Sequence, residues 1–203
     1  NYPPFQPPDG WRDLNPETMD HWEIGVTQRI GDVLTLDISA YHAEVEDAFR
    51  VVFPDWVKVG GYTSEGAEAS LRFTPRNDLS CFAGVNYGNT SGENVPRAPE
   101  WSGSAGVDYR PVPGVHLNLD AEYTDDQYAV NTRKAGELQQ GAERVADYLL
   151  VNARAGYDFT PKNSEWQGEF YVQVRNLTDE EYEYRPGYPM PGSTVHAGLN
   201  MEF

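Results

Sequence analysis

The chain closes on Thr194-Val-His-Ala-Gly-Leu-Asn-Met-Glu-Phe203. Val195, Ala197, Leu199, Met201 and Phe203 stand at every second position, with Thr194, His196, Gly198, Asn200 and Glu202 between them. Extended backbone turns successive side chains to opposite faces, so this stretch reads as a strand with one apolar and one polar face. What covers the apolar face, a soluble core or lipid, decides the fold.

The same alternation recurs upstream. Val115, Leu117, Leu119, Ala121 and Tyr123 alternate with His116, Asn118, Asp120, Glu122 and Thr124. Val151, Ala153, Ala155, Tyr157 and Phe159 alternate with Asn152, Arg154, Gly156 and Asp158, and Trp101, Gly103, Ala105, Val107 and Tyr109 with Ser102, Ser104, Gly106, Asp108 and Arg110. Residues 22–26, 34–40, 67–73, 79–87 and 170–174 follow the rule with two irregularities. The pattern slips at Tyr41, which predicts a bulge there, and Phe82 interrupts a polar series. The total is about nine strands of roughly ten residues, the length that crosses a bilayer at a tilt. No segment shows a helical period, and no apolar run is long enough for a transmembrane helix.

The connections alternate in length. Those at 30–32, 74–78, 111–114 and 160–166 are short; those at 47–59, 91–99, 125–146 and 177–191 are long. Outer-membrane barrels sort their turns this way, and a soluble sandwich has no reason to. Phe73, Tyr109, Phe159 and Phe203 fall on the apolar face at the short-turn end of their strands, as one interfacial girdle requires. The polar face carries Glu68, Arg72, Asp108, Arg110, Asp120, Glu122, Arg154, Asp158 and Arg175, which suits a watery or plug-filled lumen better than a dry core.

Composition excludes several classes. A net charge of −17 argues against binding a phosphate backbone, so no nucleic-acid partner is expected. Cys81 is the single cysteine, which excludes a disulfide framework and a cysteine-based metal cluster; it reads as a small lipid-facing residue. The chain opens at Asn1 without a signal peptide, and residues 1–10 hold four prolines. They read as loop material at the start of a mature product or of a piece of something larger.

At the C-terminus, Gly198, Met201 and Phe203 fit a Gly-x-x-apolar-x-aromatic pattern that resembles the signal read by the outer-membrane assembly machinery. Asn176-Leu-Thr-Asp-Glu-Glu-Tyr182, then Gly187-Tyr-Pro189 and Pro191-Gly192 before the final strand, resembles the C-terminus of TonB-dependent receptors. Asn15-Pro-Glu17, Trp22-Glu-Ile-Gly25, Tyr41, Asp47 and Gly66-x-Glu68 follow in the order of the same barrels. The resemblance implies a barrel of about 22 strands around an N-terminal plug, with a TonB-binding box at the start. Plug, box and the other strands are absent from this sequence, and an open sheet in lipid exposes two costly edges. If Phe203 ends at the periplasm, an odd strand count places residue 1 outside the cell. The expectation is therefore an integral protein of the bacterial outer membrane. Residues 1–17 are an extracellular loop segment, and residues 18–203 are the C-terminal part of an all-β, antiparallel transmembrane barrel broken in an extracellular loop. The remaining strands and plug come from another chain or an unrepresented segment, TonB acts through that part, and lipopolysaccharide and lipid surround the wall.

The long connections hold the candidate ligand contacts. Residues 125–146 contain Asp125, Asp126, Tyr128, Arg133, Lys134 and Arg144; residues 177–191 contain Tyr182, Tyr184, Arg185 and Tyr188. Tyr and Arg together suit an aromatic or anionic siderophore through stacking, cation–π contacts and charge-assisted hydrogen bonds. For any one of these residues, ordinary loop decoration is the competing reading. Asp179, Glu180, Glu181 and Glu183 match no calcium loop and read as a charged rim, though Ca²⁺ or a bridge to lipopolysaccharide stays open. His116, His196 and Met190 form a conceivable copper-type set that no spacing requires. The Asn-x-Ser/Thr triplets at Asn89 and Asn176 mean little if the source is bacterial. No resident cofactor is expected, and no catalytic set stands out, so an enzyme is not expected.

The leading reading is energised uptake of a ferric siderophore, a common cargo of the resembled family. Cobalamin, another metal complex or a glycan remain open. A small autonomous adhesin or pore, an outer-membrane barrel enzyme and a soluble β-sandwich are the rivals; the first needs an even strand count and closure on itself.

Overall fold

The computed structural model describes residues 15–52, 55–92, 98–129, 143–161 and 166–202. Its strands are β1 (Thr18–Ile30), β2 (Leu34–Val52), β3 (Asp55–Arg76), β4 (Leu79–Gly92), β5 (Trp101–Tyr109), β6 (Val115–Thr124), β7 (Gln127–Ala129), β8 (Glu143–Val145), β9 (Tyr148–Phe159), β10 (Gln167–Arg175) and β11 (Thr194–Glu202). Nine of them form one sheet in the order β1-β2-β3-β4-β5-β6-β9-β10-β11, each antiparallel to its neighbour. The strands β7 and β8 pair separately.

Register preserves the faces read from the sequence. Leu119 stands opposite Val107 on one side and Ala153 on the other, while Asn118 stands between Asp108 and Arg154. A slip of one residue anywhere would mix the faces, so the hydrophobic pattern fixes the register. The apolar face is bare. Trp22, Ile24 and Val195 are 76%, 74% and 69% exposed, and Ile38, Val85, Leu119, Phe170, Val172, Leu199 and Met201 continue the surface across the sheet. No soluble monomer leaves so wide an apolar patch to water, and no second sheet covers it among the described residues. Such a face suits the lipid-facing wall of a barrel, and among the described residues nothing packs on it as the second sheet of a sandwich would.

The outward aromatics fall at two levels. Phe73, Tyr109 and Phe159 lie at the short-turn end; Phe159 packs 4.9 Å from Phe170 and 6.0 Å from Trp166, and the Arg76 guanidinium lies 5.9 Å over the Tyr109 ring. Phe203, expected in the same ring, lies outside the described residues. At the opposite end Trp22, Tyr87, Trp101 and Tyr123 share the outward face, with Tyr87 and Trp101 4.8 Å apart. From Trp101 to Tyr109 the strand advances ~26 Å at ~3.3 Å per residue, close to the apolar band of a membrane barrel.

Three expectations are corrected, and the exception at Phe82 is explained. The register runs unbroken through Tyr41, and the irregularity comes later, between Val45 and Phe49, where Asp47 has φ 55°. Tyr41 keeps its inward parity because Gly66 opposite it, and Gly88 beyond, leave room for the ring. Phe82 is inward for the same reason, over Gly106. The expected long connection at 47–59 is mostly strand, since β2 and β3 stay paired to Val52 opposite Asp55. The connection at 125–146 is not all loop, because β7 and β8 lie within it.

The sheet does not close on itself. Among the described residues, β1 and β11 each have a neighbour on one side only. A small barrel sealed by β1 and β11 therefore finds no support. Free edges 13 and 9 residues long would strand backbone polar groups in lipid, at a cost of several kcal/mol each.

Candidate functional site

The loop joining β10 to β11 is built from its own side chains. Asn176 adopts φ 52° and is 4% exposed. Its Oδ1 accepts from Glu180 N–H at 2.8 Å, and its Nδ2 donates to the Glu180 carbonyl at 2.9 Å and to the Pro191 carbonyl at 3.5 Å. Asp179, at φ 56°, accepts from Ser193 N–H at 2.7 Å, directly beside Gly192, where any Cβ would collide with its carboxylate. Asn and Asp tolerate the left-handed region because short polar side chains bond locally. These two residues tie both feet of the loop together. At the tip, Tyr188 N–H donates to the Arg185 carbonyl at 3.0 Å across Pro186-Gly187, with Gly187 at φ 76° as a type II turn requires. Glu183 accepts from Gly187 N–H at 2.8 Å.

Aromatic contacts seat this loop on the wall. Tyr182 lies 5.0 Å and Tyr184 6.0 Å from Tyr148, and the two loop rings are 5.4 Å apart. Tyr148 is buried, as are Val145 and Leu150 beside it in sequence. Burial pushes the Tyr184 hydroxyl above its ordinary value, and its bond with Tyr182 adds to the shift. On the facing side, Tyr128 pairs with Arg144 across β7 and β8. The Arg144 Nε donates to Asp126 Oδ2 at 2.8 Å, and this bond holds the Asp126 carboxyl below its ordinary range.

Between the two loops lies a cleft of about 690 Å³, lined by Arg144, Val145 and Ala146 on one side. Tyr182, the acidic residues 179–181 and 183, Pro189, Met190 and Gly192 line the other. Of the candidate contacts, Arg144 lines the cleft with Tyr128 opposite it in the hairpin. Tyr184 belongs to the aromatic cluster, and Arg185 and Tyr188 share the loop tip. Arg133 and Lys134 lie outside the described residues. The carboxylates of Asp179 and Glu183 are engaged by backbone N–H groups, and among the described residues no three His, Cys, Asp or Glu side chains converge on a metal-sized space.

The inward wall below is polar and cross-linked. Asn152 donates to Asp120 at 2.8 Å and accepts from Asn176 N–H at 3.1 Å, so the loop's foot is bonded to the wall. Arg154 reaches both carboxylate oxygens of Glu169 at 2.8 Å and lies 4.4 Å over the Tyr171 ring. Asn200 donates to the same Glu169, and His116 contacts Asp158. His196 stands opposite Gln173, and Met190 is in the loop, so the His116, His196 and Met190 set is not one cluster. Of the assembly signal, Gly198 lies under the Tyr171 ring, Met201 faces outward, and Phe203 is outside the described residues. Sequence reading missed the roles of Tyr148 and Asn152. Their parity with Arg154 on the polar face was the available signal.

The family model described as "TonB dependent receptor-like, beta-barrel" matches residues 1–177. Solved structures with the same fold include the ferric citrate transporter FecA in its unliganded form, at 22% identity and TM-score 0.69, covering 95% of this chain and 33% of that one. The closed form of the ferric-catecholate import receptor Fiu from E. coli K12 matches at 18% identity and TM-score 0.67, covering 93% and 28%. The copper transporter OprC matches at 16% identity and TM-score 0.71, covering 93% and 32%. The chain thus spans about a third of the length of these proteins. It belongs to the TonB-dependent receptor family, within the β-barrel.

Proposed function

We propose that residues 18–203 form part of the wall and ligand-facing loops of an outer-membrane receptor that takes up a ferric siderophore, with residues 1–17 on the extracellular side. The supporting observation is the joining of two long loops around one cleft that holds Arg144 and Tyr182 above a polar inner wall. Arg144 offers charge-assisted hydrogen bonds and the tyrosines offer ring faces, a combination that fits a large, oxygen-rich aromatic or anionic complex. Arg185 and Tyr188 at the loop tip meet the incoming ligand first. The other strands complete the barrel along the edges of β1 and β11, and a plug on the inner wall takes the pull from TonB. Iron complexes are favoured because ferric citrate and ferric catecholate are named for the similar structures.

The test is growth of a strain lacking the receptor under iron limitation, complemented with the complete receptor and fed single ferric siderophores. Complementation on at least one is expected, with Arg144→Ala raising the Kd of that complex about tenfold, or about 1.4 kcal/mol. Complementation only with cobalamin, a copper complex or a glycan would overturn the iron reading.

A further inference from the structure

The charges lining the cleft between the two loops are mostly of one sign. Asp179, Glu180, Glu181 and Glu183 stand on it, and Arg144 is the one cation among the lining residues. That guanidinium is already met, because its Nε donates to Asp126 Oδ2 at 2.8 Å. Asp179 and Glu183 accept from the N–H groups of Ser193 and Gly187, which orients the carboxylates and leaves their charge in place. Arg175, the last residue of β10, does not line the cleft. The sign does not depend on which side chains reach the space. Residues 125–146 and 177–191 together hold eight Asp and Glu against four Arg and Lys. On the wall beneath, Arg154 is paired with Glu169, while Asp120 and Glu122 face neutral Asn152 and Leu150 across β9. The Tyr184 hydroxyl registers the same field: burial raises it first, then Tyr182, and Glu122 adds to the shift from below.

A cleft of one sign between low-dielectric walls focuses its field and concentrates ligands of the opposite charge. A ligand of like charge is repelled there. Ferric chelates differ in this respect. Iron(III) held by three catecholates is strongly anionic, since each catecholate carries two negative charges. Held by three hydroxamates it is neutral, since each carries one. A protonated amine on the chelator then makes the complex cationic. An ammonium is drawn to an aromatic face as well as to a carboxylate, and Tyr182 lines the cleft beside the four acidic residues.

We propose that this cleft selects a ferric chelate that carries a protonated amine and no net negative charge, of the hydroxamate class rather than the catecholate or citrate class. The inference rests on the uptake reading and narrows it, setting anionic complexes aside. The amine sits among Glu180, Glu181 and Glu183 against Tyr182, and the oxygen-rich chelate turns towards Arg144. Arg144 then orients the complex through its hydrogen-bond donors and does not attract it by charge.

The test uses the complete receptor, purified in detergent, and three ferric complexes. They are a linear trishydroxamate with a terminal amine, the same chelator with that amine acetylated, and a triscatecholate. Binding is read by isothermal titration calorimetry. The amine form is expected to bind about tenfold more tightly than the acetylated form, and the triscatecholate more weakly than either. Glu180→Gln combined with Glu181→Gln should remove the preference for the amine. That variant keeps the frame of the loop, because Asn176 bonds Glu180 through its backbone alone. Raising the salt from about 0.05 M to about 0.5 M should shrink the preference as well, since exposed charges are screened. Equal or weaker binding of the amine form overturns this inference and leaves the uptake reading standing on whichever complex binds. A preference that survives the double variant unchanged overturns it too, because the selecting charges then lie elsewhere. Binding of none of the three also overturns it; the uptake reading falls only if the growth test on single siderophores fails as well.

Discussion

Asn176 shows how much one side chain can organise. It holds a left-handed backbone, fills a nearly closed space and makes hydrogen bonds to both limbs of its loop. Asn176→Ala removes those bonds and leaves the Glu180 N–H and carbonyl without partners, at about 1–3 kcal/mol per buried group. Ala also bears a backbone cost of roughly 1–2 kcal/mol in that region, which Asn176→Gly avoids. Amide exchange at Leu177, Glu180 and Ser193 should therefore quicken in both variants and more in Ala. Equal exchange in the parent and both variants would show that the loop is held by other contacts. The Asp126–Arg144 pair gives a second test at this scale. The folded carboxyl titrates below the unfolded value, so its contribution is present above about pH 3.9 and fades as pH falls through the folded value. Arg144 is exposed and Asp126 only partly covered, so the observable is the titration itself. The Asp126 midpoint should rise towards 3.9 in Arg144→Gln, measured by carboxyl carbon NMR.

At the scale of the element, inward aromatics are matched to glycines on the next strand. Tyr41 opposes Gly66, Phe82 opposes Gly106 and Tyr171 opposes Gly198. Each ring lies flat over backbone that a Cβ would obstruct, and this pairing braces strands that glycine alone would weaken. The obstacles differ. At Gly198 the nearest atoms a Cβ would meet belong to the far end of the Tyr171 ring, at 2.5 Å, and a side chain can shift at the expense of its contact with Arg154. At Gly66 it meets the Tyr87 carbonyl as well as the Tyr41 ring, and backbone cannot swing. Gly66→Ala should cost about 1–3 kcal/mol and Gly198→Ala clearly less. Thermal unfolding of the complete receptor, followed by far-ultraviolet circular dichroism, checks the order; equal losses would contradict it. These pairs also explain what was legible in the sequence. Alternation gave nine strands and their faces, because period two is a local property. Tyr41 and Phe82 looked like errors in it, because the glycines that admit them lie 25 and 24 residues away. The hairpin of β7 and β8 hid for another reason: three residues per strand are too few to show a period. The loop residues were recognisable as polar and aromatic, but their shared cleft depends on Asn176 and Asp179 bending the chain, which no spacing announces.

For the whole molecule, the decisive property is that its two faces meet different solvents. Leu119 and Asn118 are neighbours near the middle of β6 and differ only in parity. Leu119 is 51% exposed on the apolar face, whereas Asn118 donates to Asp108 across the inner wall at 3.0 Å. If lipid covers the outer face, Leu119→Arg places a guanidinium near the bilayer midplane at a cost of about 2–4 kcal/mol. Asn118→Arg places the same charge in a polar lumen between Asp108, a salt bridge in reach, and Arg154, whose own charge is already met by Glu169. Assembly yield of the folded receptor in outer membranes should fall several-fold for the first variant and little for the second. A soluble protein would give no such contrast, since an arginine on a water-exposed face is harmless. The reverse pattern, with Asn118→Arg the damaging change, would mean the faces are assigned the wrong way round. The comparison varies one parity step in one strand, so it tests the membrane reading without relying on the ligand, the loops or the strands beyond β1 and β11.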